Sequence, residues 1–312
     1  MFATILKSVL KFFISFLMVV SPNLLTLLDM GEIPQGKTID LSENGEFKLV
    51  WEDDFNGTEL DRSKWAFSWW ITERKGGYWH EDLVSVRDGN LVITAKYLDE
   101  PLENRYYDQW HNEIDFIDYK PGWYTGCITT QGTYEQCYGY YEVRCILPAA
   151  TGMWSAFWMM NDKVVNVDGT GKDGTEVDIF ESMYYKDHWW GNDAVISGIV
   201  YDGYGKEIKN ASIGKVFVEG DPYTEYHTYG LEWNKDEYIF YLDGDETGRL
   251  TAGGVSQNPE YLLLSCEFAG DNGVQHSDRH GTGEISKTPE ENWPAEFIVD
   301  YVRCYQYKDL IK

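Results

Sequence analysis

Gly174-Thr175-Glu176-Val177-Asp178-Ile179-Phe180-Glu181-Ser182 places three acids within six residues, interleaved with Val, Ile and Phe. β-Branched and aromatic residues favour a strand. Side chains on a regular strand alternate faces, so Glu176 and Asp178 share one face while Glu181, five positions after Glu176, points the other way. One extra residue at Ile179-Phe180, a β-bulge, turns Glu181 back. All three acids then line one surface, with Val177 and the Ile179-Phe180 pair packed beneath. The plain alternative is an amphipathic strand with an acidic solvent face.

The bulged geometry carries a chemistry. Two carboxyls about 5–5.5 Å apart can cut a glycosidic bond with retention: one attacks the anomeric carbon, the other protonates the leaving oxygen and then activates water. A third acid between them can hold a proton and push the two pKa values apart. Four strand steps span ~13 Å between Cα atoms, so the two Glu side chains must lean toward each other.

Composition bounds the alternatives. A chain of 312 residues accommodates one large β domain or two smaller ones. The aromatic load of 13 Trp, 23 Tyr and 14 Phe suits stacking on sugar rings and equally a packed β core. A net charge of −26 argues against a nucleic-acid partner and disfavours a strongly sulfated polysaccharide. Lys7 and Lys11 precede the apolar run Phe12 to Val20, which reads as a secretory signal. No small-x-small cleavage site follows, and an uncleaved membrane anchor competes, although Pro22 interrupts the run. Both readings place the rest of the chain outside the cytoplasm, secreted or at the cell surface. The expected organisation is a signal or anchor at 1–28, a linker at 29–46 and one domain from 47 to 309. The five cysteines form no CxxC pair and no zinc spacing. A Cys127–Cys145 bridge requires neighbouring strands; buried free thiols are the plainer expectation.

From Phe47 onward strand signals follow one another. Turns are expected at Asn56-Gly57, Asp88-Gly89 and Asp243-Gly244. Strands are expected at Leu83–Tyr97 as a hairpin, then Tyr124–Thr130, Tyr138–Leu147, Gly152–Met160, Ala194–Val200, Glu225–Trp233, Tyr238–Leu242, Tyr261–Phe268 and Phe297–Tyr305. Many strands, frequent turns and no long 3.6-residue period mean an all-β sandwich or jelly roll. Trp154 and Trp158 share a face beside the acidic strand and are candidates for sugar stacking. Glu113-Ile114-Asp115-Phe116-Ile117-Asp118 nearly repeats the acidic stretch but ends in the shorter Asp, and ranks below it.

Further stretches extend the match beyond the acids. They are Leu49 to Thr58 with Leu60-Asp61 and Lys64-Trp65, Asp88 to Ala95, Tyr138 to Arg144, Gly152 to Met159, His227 to Trp233, and Asp300 to Arg303. In this order, and over nearly all of 47–307, the chain resembles glycoside hydrolase family 16, the laminarinase, lichenase and agarase group. The resemblance implies a concanavalin A-like β-jelly roll of two curved antiparallel sheets with a concave sugar-binding cleft. It implies Glu176 as nucleophile, Asp178 as assisting acid and Glu181 as acid/base. The longer, bulged spacing is that of the laminarinase-like branch, which cuts β-1,3 or mixed β-1,3/1,4 glucans internally, and some branches acting on algal galactans share it.

The expectation is therefore an endo-acting retaining β-glucanase with a polysaccharide substrate, acting as a monomer and needing no cofactor for catalysis. The alternatives are an agarose- or porphyran-type galactan hydrolase, a transglycosylase, and a non-catalytic glucan-binding jelly roll. The last typically lacks one glutamate, and both are present here. Trp154, Trp158 and Glu267 are the expected substrate contacts. The resemblance also implies a structural calcium on the convex face, with Asp54 and Asp300 as counterpart ligands. Three positions depart from the family pattern: Ser155 stands where a Pro is frequent, Gly174-Thr175 where a Trp is common, and Val200-Tyr201 near an expected His. These shape subsites near the cut.

Overall fold

The computed structural model describes residues 41, 46–67, 73–103, 119–184, 193–271, 274–275 and 293–311. The expected signal or anchor at 1–28, nearly all of the 29–46 linker and the acidic segment Glu113–Asp118 lie outside the described residues.

The strands in chain order are β1 (Phe47–Asp53), β2 (Ala66–Phe67), β3 (Glu73–Arg74), β4 (Gly77–Trp79), β5 (Val84–Arg87), β6 (Asn90–Leu98), β7 (Gly122–Thr125), β8 (Cys127–Thr129), β9 (Gly139–Ile146) and β10 (Met153–Met160). They continue with β11 (Glu176–Met183), β12 (Ala194–Tyr201), β13 (Lys209–Phe217), β14 (His227–Trp233), β15 (Tyr238–Leu242), β16 (Asp245–Leu250), β17 (Tyr261–Phe268), β18 (Gly270–Asp271), β19 (Val274–Gln275) and β20 (Ala295–Tyr307). Two large sheets form the sandwich. An eleven-stranded sheet runs β16-β15-β14-β9-β20-β6-β7-β4-β3, with β1 on β20 and β5 on β6. A seven-stranded sheet runs β13-β12-β11-β10-β17-β8-β2. The fold is the all-β jelly roll expected from the strand pattern.

Alternation explains the core. Phe157 and Met159 of β10, Val177 and Phe180 of β11, and Leu262 and Leu264 of β17 face Tyr141 and Val143 of β9, Tyr229 of β14 and Phe297 of β20. Phe180 packs on Tyr229 with ring centroids 4.4 Å apart. Turn chemistry held at two hairpins. Asp88-Gly89 and Asp243-Gly244 all have positive φ, as the tight turns joining β5 to β6 and β15 to β16 require. Asn56-Gly57 instead lies in an irregular bend and joins no hairpin.

Two expectations change, and the plainer expectation for the cysteines stands. Tyr124–Thr130 is not one strand: it breaks at Gly126, with β7 in the large sheet and β8 in the small one. A Cβ at Gly126 would stand 2.5 Å from Val84 Cγ2, so the crossing needs glycine. Strands β13 and β16 were not foreseen, because their alternating residues are largely polar and exposed. Strand β13 is the sheet edge, where lysines discourage further pairing. Finally, Cys127 and Cys145 sit in different sheets, and all five cysteines are free thiols, four of them buried.

Candidate active site

The register around β11 shows the bulge directly. Against β10, Phe180 pairs with Phe157 and Asp178 with Trp158, leaving Ile179 unopposed. Against β12, Asp178 pairs with Gly198 and Glu181 with Ile196, so three steps on β11 match two on its neighbour. The Ser197 hydroxyl donates to the Ile179 carbonyl at 2.8 Å and so satisfies the extra residue's backbone. Glu176, Asp178 and Glu181 consequently line one cleft with Arg74, Trp154, Trp158, Ser265 and Glu267. Val177, Ile179 and Phe180 lie beneath in the core. Upstream, Thr175 is fully buried and anchors the strand start. Its backbone N and hydroxyl donate to Glu260 Oε1 at 3.2 and 2.8 Å, and its Oγ1 lies 3.1 Å from the Tyr238 hydroxyl.

The three acids differ in environment. Asp178 is 9% exposed, and burial together with the adjacent Glu181 and Glu176 charges raises its pKa well above the usual carboxylate range. Burial pushes Glu181 up to about 7; the Lys75 ammonium opposes that rise, and Glu267 and Glu176 add to it. The Trp154 indole N–H donates to Glu181 Oε1 at 2.9 Å and fixes its orientation. Burial also raises Glu176, but a hydrogen bond from the Tyr204 hydroxyl and the Arg74 charge pull it back. That bond is 2.6 Å from Tyr204 O to Glu176 Oε2. The arrangement favours a held proton at Glu181 and gives Glu176 partners that favour its charged form, although burial leaves its pKa raised.

The expected substrate contacts are all placed in the cleft, with altered roles. Trp158 is 5% exposed and donates its indole N–H to Ser265 Oγ at 3.0 Å, so it builds the floor and offers no open stacking face. Trp154 is half-buried, and Lys75 Nζ sits 2.9 Å from its ring centroid, occupying one face. Glu267 is 6% exposed rather than a surface acid, and is paired with Arg74 at 2.7 Å and Lys75 at 3.5 Å.

Arg74 and Lys75 were missed in the sequence. Their signal was the turn Arg74-Lys75-Gly76-Gly77, two cations before paired glycines. Gly76 N donates to the Phe268 carbonyl at 3.1 Å, and this clamps the β3–β4 turn over β17. Tyr204, in the loop after β12, carried no local signal, because its contact with Glu176 is made across the fold.

The residues present do not fit the implied calcium. Asp300 is hydrogen-bonded to Arg144, whose guanidinium already supplies its positive partner. Asp54 accepts from its near neighbour Asn56 N, and among the described residues no three acidic, His or Cys side chains gather as a metal cluster.

Comparison with known proteins agrees with this geometry. A family model described as "Beta-porphyranase A-D, GH16 domain" matches residues 50–307. Beta-porphyranase B of Zobellia galactanivorans is 31% identical over 264 residues, covering 80% of this chain and 83% of that protein. A beta-glucanase of Rhodothermus marinus is 24% identical over 277 residues, covering 84% and 86% respectively. Among solved structures, porphyranase B from Zobellia galactanivorans superposes with a TM-score of 0.64 at 25% identity, covering 88% of this chain and 99% of that one. SCLam, a non-specific endo-beta-1,3(4)-glucanase from family GH16, gives 0.62 at 25% identity, covering 88% and 96%. A family match over most of the chain, and an acidic strand bulged so that its three carboxyls meet in one cleft, show that the chain belongs to glycoside hydrolase family 16 and is a glycoside hydrolase.

Proposed function

We propose that this protein is an endo-acting, retaining hydrolase of β-linked galactans of the agar and porphyran class. Glu176 attacks the anomeric carbon while Glu181, protonated near neutrality, gives its proton to the leaving oxygen. Asp178 stays protonated between them and hydrogen-bonds rather than adding a third charge. Water then attacks the glycosyl ester, passes its proton to Glu181 and frees Glu176.

The observation carrying the substrate class is the pair Arg74 and Lys75 inside the cleft. The net charge of −26 argued against an anionic polymer. At physiological salt, however, charges beyond about 8 Å are largely screened, so the local balance decides. Burial and mutual repulsion raise Asp178 and Glu181, the latter to about 7, so part of the cleft's acidic charge is held as protons, and Arg74 and Lys75 offset part of the rest. A sulfated or otherwise anionic galactan is tolerated there. The match to the porphyranase description and the 31% identity to a porphyranase support the same class. The basic, apolar N-terminus supports action outside the cytoplasm, where such polymers are found.

A β-1,3 or mixed-linkage glucan is the second reading, favoured by the beta-glucanase relative and by Glu267 already pairing with both cations. Product analysis on porphyran, agarose, laminarin and barley glucan, beside Glu176→Ser, separates the two. Oligosaccharides from porphyran or agarose, absent with the variant, are expected. Products from laminarin or barley glucan alone would replace the galactan reading with the glucan one.

A further inference from the structure

We propose that Tyr204 is a positioning residue of this cleft, holding the non-attacking oxygen of Glu176 and stabilising that carboxylate when it leaves the sugar. The proposal rests on the reading of Glu176 as nucleophile.

The geometry is specific. The Tyr204 hydroxyl donates to Glu176 Oε2 at 2.6 Å, while the residue is 51% exposed. Core packing therefore does not demand the contact; the loop does. Asp202, buried and with φ of 60°, accepts from Asp168 N at 3.1 Å, Gly169 N at 2.9 Å and Lys209 Nζ at 2.7 Å. Gly203, with φ of 74°, donates its N–H to the Val164 carbonyl at 2.7 Å. A Cβ at Gly203 would stand 3.3 Å from the Val165 carbonyl oxygen. Two left-handed residues thus make the turn, three bonds brace it against the 162–170 segment and a fourth ties it to Lys209 on β13, so the tyrosine is delivered onto Glu176 by a rigid support. Although much of the side chain is exposed, desolvation at the hydroxyl end and the Glu176 charge raise the phenol's pKa, so it remains a donor throughout the working range.

The chemistry follows from which oxygen is taken. With Oε2 bound, Oε1 is left to form the bond to C1 while the C1–leaving-oxygen bond breaks and Glu181 supplies the proton. The carboxylate becomes a neutral ester and the tyrosine bond weakens. In the second step water bonds to C1, its proton goes to Glu181, and the C1–Oε1 electron pair returns to the carboxylate. Tyr204 stabilises that developing charge without transferring its own proton. The other groups acting on Glu176 are Arg74 and Lys75 from the β3–β4 turn, Asp178 and Glu181 on its own strand, and Glu267 and Glu260 on and beside β17. The two cations favour the charged form and the carboxylates oppose it.

Tyr204→Phe tests this, because it keeps the exposed ring and deletes only the hydroxyl. The acid limb of kcat/KM reports ionisation of Glu176. It should move to higher pH by about one unit or more, as loss of a hydrogen bond to a charged group predicts. The glycosyl-enzyme should accumulate as a burst in product release. An unmoved acid limb with no burst would overturn the proposal. Azide rescue of Glu176→Ala, giving a glycosyl azide of inverted configuration, is the separate check on the nucleophile. Rescue with an unmoved Tyr204→Phe profile overturns the tyrosine alone; absent rescue overturns both.

Discussion

Glu142 on the eleven-stranded sheet and Glu181 on the seven-stranded sheet are both shielded carboxyls, held in opposite ways. Glu142 accepts the hydroxyls of Tyr140 at 3.1 Å and Tyr301 at 2.7 Å. Two residues along the same strand, on the same face, Arg144 pairs with Asp300 and lies 4.1 Å over the Tyr226 ring centre. Both Glu142 oxygens thus have a neutral donor, and Arg144 has a carboxylate partner through Nη1, although its Nη2 finds none. Glu181 instead shares its cleft with Asp178, Glu176 and Glu267, and one indole N–H does not offset their repulsion. Burial raises both carboxyls; at Glu142 the Tyr301 and Tyr140 hydroxyls and the Arg303 charge oppose the rise more than the Asp243 carboxylate adds to it, whereas at Glu181 both Glu267 and Glu176 add to it. Carboxyls given neutral donors hold a sheet together, whereas carboxyls set against one another hold a proton near neutrality, which acid catalysis can use.

The largest expected effect separates the two sheets. Glu176→Ser should abolish hydrolysis with the fold intact, while Glu142→Gln should leave kcat near wild type. Reducing-end assays beside circular dichroism check both, and strong inactivation by Glu142→Gln in a folded protein would erase the distinction.

Glu181→Gln comes next, with an expected loss of about 10²–10⁴-fold in kcat. The wild-type rate should fall as pH rises through about 7, where Glu181 loses its proton. The variant should lack that limb, and a retained limb would assign it to another group.

On the opposite face, Arg144→Ala should cost about 1–3 kcal/mol, since Asp300 is partly exposed and water compensates in part. Denaturant melts measure this. EDTA and added calcium should leave the wild-type melting temperature unchanged, because Arg144 already neutralises Asp300. A calcium-dependent rise would restore the metal site.

The smallest effect concerns pH and stability. Asp178, Glu181 and Glu260 all have folded pKa values above their ordinary ones, the last two at about 7. The folded state therefore binds more protons than the unfolded chain. That stabilisation is full below the ordinary carboxylate range and is lost as pH rises toward about 7. The melting temperature should be higher at pH 5 than at pH 8. Glu260→Gln should narrow the difference by about 2–4 °C for each kcal/mol involved. A wider difference in the variant would contradict the assignment.

Much of the cleft was legible because it is local. Glu176, Asp178 and Glu181 lie on one strand, and counting strand steps demanded a bulge at Ile179-Phe180, where the register indeed slips. Strands with apolar alternation, such as Tyr261–Phe268, were readable for the same reason. What escaped is made across the fold. Arg74 meets Glu267 across 193 positions and Tyr204 meets Glu176 across 28, and no periodicity encodes either pairing. Trp158 and Trp154 were located correctly, but their freedom to stack depended on Ser265 and Lys75, residues from other strands and turns. The Tyr124–Thr130 reading failed because Gly126 moves the chain between sheets while the apolar pattern continues.

In the proposed mechanism the bulge turns Glu176 and Glu181 into a pair acting on one anomeric carbon with retention. Proton NMR of the first product formed from the polysaccharide the enzyme cuts tests it most directly, before mutarotation scrambles the new reducing end. A β-configured product at early times is predicted. An α-configured first product would mean water attacks directly, and would contradict the assignment of Glu176 as nucleophile.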